Sequence, residues 1–131
     1  MTPEAADPGK IRRYDAHIYY DSESRDAAAE LRRELEERFE VQLGGWHDEP
    51  VGPHPQSMYR IIFASEYFAR VVPFLMLNRR GLTILVHPRT GNDRRDHTEH
   101  ALWLGQKLDL NVSFFKRAGW RAELRAARRS G

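Results

Sequence analysis

The hydrophobic pattern changes period along the chain. Residues 14–20 (YDAHIYY) are β-branched and aromatic, which predicts a strand. Alternation places Asp15, His17 and Tyr19 on one face and Ala16, Ile18 and Tyr20 on the other. Asp21 and Ser22 then supply helix N-cap chemistry. Ala27, Ala28, Leu31, Leu35 and Phe39 recur at helical spacing, which predicts a helix over 22–39 with one buried stripe. Residues 40–43 read as a short second strand, and the Gly- and Pro-rich stretch 44–56 (GGWHDEPVGPHPQ) as a loop. A third strand is predicted over 58–64 (MYRIIFA). A second helix is predicted over 65–78, capped by Ser65 and buried through Phe68, Val72, Leu75 and Met76. Pro73 lies inside it and demands a kink or a late start. Arg80-Gly81 ends that helix, and 82–87 (LTILVH) is a fourth strand.

The order β-α-β-β-α-β predicts an α+β, ferredoxin-like antiparallel sheet with both helices on one face. The first and third strands are then central, and the fourth flanks the first. A C-terminal helix/strand extension follows. It has a polar loop over 88–95, then a helix from Asp96 that carries Trp103, with Asp96 and Glu99 as a capping box. An alternating strand is expected over 108–115 (LDLNVSFF). A small sheet with helices on one face leaves its other face open, which predicts a homodimer.

Composition narrows the class. The 131 residues suit one domain, taken here as 11–115, with a flexible leader over 1–10 and a basic tail or helix over 116–131. Hydrophobic residues at 40% and charged residues at 31% fit a folded chain and exclude a disordered one. The absence of cysteine excludes disulfides, thiolate nucleophiles and cysteine-ligated metals. No apolar run is long enough to span a membrane and no secretory signal is evident, so a cytoplasmic protein is expected. From residue 116 onward six basic side chains face one acid, a net of +5, so the overall +2 leaves the body at −3. The alkaline balance belongs to the tail, which reads as a solvated helix; nucleic acid is not an expected partner.

Six histidines carry the chemistry: His17, His47, His54, His87, His97 and His100. His17 lies mid-strand, His87 ends the flanking strand, and His54 is held in a Gly-Pro-His-Pro turn whose prolines restrict its position. These three can converge as a metal site; imidazole suits iron, zinc, copper and nickel and leaves positions open for substrate. His97 falls in the first turn of the expected helix, where the dipole lowers an imidazole pKa and makes it a candidate acid–base group. His100 reads as a surface residue. Arg60, on the open face of its strand, can clamp a carboxylate or pair with a neighbouring acid. Tyr19, on the His17 face, and Trp103 are further candidates for substrate contact, and Trp46 and Trp120 can line a pocket for a flat ring. No dinucleotide fingerprint, P-loop, nucleophile elbow or H-E-x-x-H motif is present.

Several segments together resemble the DOPA 4,5-dioxygenase family. They are Asp15-Ala-His17-Ile-Tyr-Tyr20, the loop from His47-Asp-Glu-Pro50 to His54-Pro55, Leu75-Met-Leu-Asn78-Arg79, Leu85-Val-His87-Pro88 with Thr90-Gly91, and Asp96-His97-Thr98 leading to Trp103-Leu-Gly105. The resemblance spans roughly 14–110 and implies a ferredoxin-like domain that cleaves a catechol ring with dioxygen at a non-haem Fe(II). L-DOPA is the substrate of fungal members. On that resemblance His17, His54 and His87 are the expected iron ligands, with His47 able to replace His87, and His97 or His47 transfers protons. Asp15, Asp48 and Glu49 are the carboxylates near enough to be considered, though no motif singles one out. Zinc or nickel is expected to substitute in a crystal, since both bind such sites more tightly than Fe(II).

Overall fold

The structure, a computed structural model, describes residues 4–116. Its elements are β1 (Arg13–Tyr20), α1 (Arg25–Arg38), β2 (Gln42–His47), β3 (Ser57–Ala64), α2 (Phe68–Asn78), β4 (Thr83–Pro88), α3 (Asp93–His97) and β5 (Leu102–Leu104). The strands form one antiparallel sheet in the order β2-β3-β1-β4-β5. The first four reproduce the ferredoxin-like arrangement, with β1 between β3 and β4, and β5 extends the β4 edge.

The alternation in β1 separates two environments. Ala16, Ile18 and Tyr20, with Tyr59, Ile61 and Phe63 of β3 and Ile84 and Val86 of β4, pack against Ala28, Leu31 and Leu35 of α1 and Val71, Val72 and Leu75 of α2. Each fully buried aliphatic side chain there contributes about 1.5–3 kcal/mol relative to exposure. Tyr59 reaches across this core and donates its hydroxyl to the Ala28 carbonyl at 2.8 Å, so the buried O–H is satisfied.

Both long helices start later than the pattern predicts. The Asp21 carboxylate accepts from the Glu23 and Ser24 amides at 2.9 Å, forming a turn before α1 begins at Arg25. Ser65–Tyr67 forms a 3-10 turn and α2 follows from Phe68; the start is late, but Pro73 still lies inside the helix, past its first turn. Met76, expected in the core, is 53% exposed. At the N-terminus, Asp7 caps a 3-10 turn over Pro8–Lys10 by accepting from the Gly9 amide.

The C-terminal extension departs most from expectation. The helix begins after Asn92, whose side chain accepts from the Arg95 amide, and it ends at His97. No Asp96–Glu99 capping box forms: Asp96 accepts from Thr90, and Glu99 pairs with Arg95. Trp103 lies on β5, not on a helix. Residues 108–115 are not a strand; the Asn111 amide is pinned to the Pro53 carbonyl at 2.8 Å and the chain turns helical by Ser113.

This extension covers the sheet's second face. Tyr19, Met58 and Leu85 are buried beneath Ala101, Trp103, Leu108 and Leu110, and Phe115 is buried with its ring 4.9 Å from that of His97. The open face on which the homodimer expectation rested is therefore largely covered within the chain. Among the described residues no helix is long and apolar enough to cross a membrane. Trp120 and the basic tail beyond Lys116 lie outside the described residues.

Candidate functional site

Strand register assembles a polar patch on the second face. Across β3, β1 and β4, Arg60 opposes His17, and Asp15 opposes His87. Directly opposed side chains on one face stand about 4.5–5.5 Å apart at Cβ, so the pairing alone makes these groups neighbours. They line a cavity of about 290 Å³, joined by His47, His54, Arg89, Asp93, His97 and, from the C-terminal segment, Phe114 and Phe115.

Four imidazoles meet there. The His17 ring lies 4.2 Å from His54, 5.1 Å from His87 and 5.6 Å from His97, centroid to centroid. His87 and His97 are 4.0 Å apart, and His54 and His97 5.8 Å. Two overlapping donor triads result, each with one ligand atom per residue within 4.8 Å of the others: His17, His54 and His97, and Asp15, His17 and His87. The structure thus brings the three expected ligands into one cluster and adds His97 to it.

Backbone carbonyls set the tautomers. His87 Nδ1 lies 2.9 Å from the Pro88 carbonyl and His97 Nδ1 lies 2.7 Å from the Asp93 carbonyl. A carbonyl only accepts, so each Nδ1 carries the hydrogen and each Nε2 presents a lone pair. His17 Nε2 lies 3.0 Å from His87 Nε2, while His17 Nδ1 is buried with no hydrogen-bond partner among the described residues. Tyr19 places its hydroxyl 2.7 Å from His54 Nδ1.

Burial keeps the cluster neutral. It pushes His54 down to about 3, helped by His97 and His87, and His97 down to about 4, helped by His87. Burial, with His54 and His87 nearby, holds His17 well below the ordinary imidazole value, and burial also lowers His87. Neutral imidazoles with fixed lone pairs and an unpartnered buried nitrogen suit a divalent transition metal, whose binding requires deprotonated donors. His97 closes α3 instead of opening a helix, so the low pKa expected from a helix N-terminus has a different cause, burial among imidazoles.

The other expected site residues divide. His47 ends β2 and lines the cavity; the backbone of Gly45 makes room for it, since a Cβ there would stand 2.7 Å from His47 Nε2. Arg60 lines the cavity 3.6 Å from Asp15. Tyr19 is buried behind His54, so it orients that imidazole and does not face the cavity. Trp103 stacks on Tyr19 at 6.0 Å and lines a neighbouring depression, outside the histidine cavity. Trp46 lies on the helix side, stacked on Tyr59 at 4.8 Å beneath Arg25 and Arg32. Asp48 is bound by Arg25, Tyr20 and Trp46 and is absent from the cavity. His100 hydrogen-bonds buried Asp96 at 2.9 Å.

Sequence reasoning passed over Arg89, Phe114 and Phe115, and gave Asp15 no particular role. Asp15 had a legible signal, since it shares the His17 face of β1. Arg89 and the two phenylalanines had none, because only tertiary closure brings them in.

The fold and site define a small ferredoxin-like α+β protein with a buried histidine centre. The sequence model of the Dopa 4,5-dioxygenase family matches residues 14–114, and the chain belongs to that family. It is 36% identical over 127 residues to an uncharacterized 21.2 kDa protein from Botryotinia fuckeliana, covering 87% of this chain and 69% of that one. It is also 36% identical over 114 residues to a DOPA 4,5-dioxygenase from Amanita muscaria, covering 79% of this chain and 50% of that protein's length. A crystal structure of a candidate dioxygenase from Nostoc punctiforme superposes with a TM-score of 0.85 at 51% identity, covering 87% of this chain and 99% of that one. The protein is dioxygenase-like in family and in structural kinship.

Proposed function

We propose that the protein is an extradiol ring-cleaving dioxygenase for a catechol such as L-DOPA or a related compound, working with Fe(II) in the histidine centre. The observation that carries this reading is the cluster of four neutral imidazoles, three buried and His97 half-buried, at one wall of a cavity large enough for a single ring. His17, His54 and His97 are the proposed ligands, one nitrogen from each lying within 4.8 Å of the others. Bound there, the iron supplies open positions and electron transfer between a catecholate and dioxygen.

The chain's own groups do the rest. His87 hydrogen-bonds His17 and fixes its orientation. Tyr19 does the same for His54. With His97 assigned to the metal, His47 is the proposed proton-transfer group, accepting a catechol proton at the cavity wall. Phe114 and Phe115 exclude water from the ring's side of the site. Both atoms of dioxygen enter the product as the ring bond beside the diol breaks, so the ring supplies all the electrons and no external reductant is consumed.

The test is product analysis. Fe(II)-loaded protein given L-DOPA or caffeic acid under labelled dioxygen is expected to form a yellow ring-opened product containing both labelled atoms. Tight metal binding without any product would leave the alternative, a non-catalytic metal- or ligand-binding protein on the same fold.

A further inference from the structure

The cavity wall beside the imidazoles holds an uncommon charge arrangement, with Asp15 Oδ2 3.9 Å from His87 Nε2. Asp15 is buried, and two arginines lean on it, one from β3 and one just past the end of β4: Arg60 Nη1 at 3.6 Å and Arg89 Nε at 3.4 Å. Neither guanidinium makes a hydrogen bond among the described residues, and Asp15 Oδ1 is likewise without a hydrogen-bond partner. Both arginine side chains remain more than a third exposed, at 37% and 38%, and both line the cavity. One carboxylate thus holds two guanidiniums near it without satisfying the donors of either.

The backbone makes room for this arrangement. Arg60 lies across Gly44 of β2, where a Cβ would stand 2.9 Å from Arg60 Nε and 3.0 Å from its carbonyl oxygen. Any side chain at 44 would push the guanidinium away. Across the sheet Arg60 opposes His17, so its charge sits one strand from the histidine centre. The other carboxylate on the cavity wall, Asp93, opens α3 and acts on the His97 and His87 side.

We propose that Arg60 and Arg89 form an anion subsite in the histidine cavity, which selects ring substrates bearing a carboxylate on the side arm. This deepens the ring-cleavage reading and rests on it for the identity of the ring. Guanidinium forks bind carboxylates in two-point fashion, and the free donors on both arginines are the groups such an arm would satisfy. Asp15 is the positioning residue that keeps both forks at the wall while the site is without substrate.

The experiment compares two catechols, one whose arm ends in a carboxylate and one whose arm lacks it: 3,4-dihydroxyphenylpropionate and the neutral 4-ethylcatechol. Binding to the Fe(II)-loaded full chain is measured anaerobically by calorimetry, and turnover is measured separately in air. The subsite predicts that the carboxylate binds about tenfold to a hundredfold more tightly. Arg60→Met and Arg89→Met each collapse that ratio toward one, Arg60→Lys restores part of it, and the distant Arg25→Met leaves it in place. Equal binding of the two catechols, or a ratio that survives both arginine substitutions, overturns the subsite. A charge-dependent ratio without turnover of either compound upholds the subsite and overturns ring cleavage. Failure to bind either catechol overturns both.

Discussion

His17 on β1 and His87 on β4 meet Nε2 to Nε2 at 3.0 Å. Because the Pro88 carbonyl fixes the hydrogen of His87 on Nδ1, the contact needs a hydrogen on His17 Nε2. His17 Nδ1 is then a bare nitrogen, buried and unpartnered. Such a group costs stability in the metal-free chain and is relieved by an electron-pair acceptor.

The first prediction is acid sensitivity without metal. His54 at about 3 and His97 at about 4 are depressed from 6.5 by burial, and His17 and His87 are lowered with them. As pH falls below 6.5 the unfolded chain takes up protons that the folded chain refuses, so stability is lost progressively toward pH 3. Asp15 works the other way, since burial raises its pKa and protonation favours the folded form at low pH, but it is one group against four. Urea midpoints of chelator-treated protein should therefore fall steadily from neutral pH to pH 5. A flat profile would contradict the neutral cluster.

Metal should stabilise the folded chain. A ligand at a hundred times its Kd stabilises the folded state by about 2.7 kcal/mol. Excess Zn(II) or Fe(II) at pH 7 should raise the thermal midpoint by several degrees, and His17→Ala should abolish the increase. The check is differential scanning fluorimetry with and without chelator.

Tyr19→Phe removes the hydroxyl 2.7 Å from His54 Nδ1 and leaves the buried ring in place. The expected result is a folded protein with metal affinity weakened about tenfold to a hundredfold, measured by competition with a chromophoric chelator. Unchanged affinity would remove Tyr19 from the site.

Gly45→Ala tests His47. The added methyl would stand 2.7 Å from His47 Nε2 and must displace the ring. Steady-state kinetics should show a lower kcat with metal content intact, since His47 belongs to neither donor triad. A loss of metal instead would assign His47 a ligand role.

Much of this was legible in the sequence because period-two alternation is a strong signal. In β1 it separated Ala16, Ile18 and Tyr20 from Asp15, His17 and Tyr19, and the structure divides them the same way. The tip of β2 was hidden because Gly44 and Gly45 read as loop residues; pairing with β3 across a bulge overrides that preference. Leu102–Leu104 is too short for any period to show. The alternation at 108–115 was real but had another origin: Leu108 and Leu110 cover the second face from an irregular segment. His97 was displaced in the reading because Asp96 was taken as the cap. Asn92, the residue that caps the helix, was the available signal.

Oxygen uptake tests the central claim most directly. Chain loaded with Fe(II) under anaerobic conditions is mixed with L-DOPA or caffeic acid in an oxygen-electrode cell, with visible absorbance followed in parallel. The account predicts one dioxygen consumed per catechol as a yellow product grows, and neither change in His17→Ala. Confirmed iron binding with no oxygen uptake across a panel of catechols would contradict it.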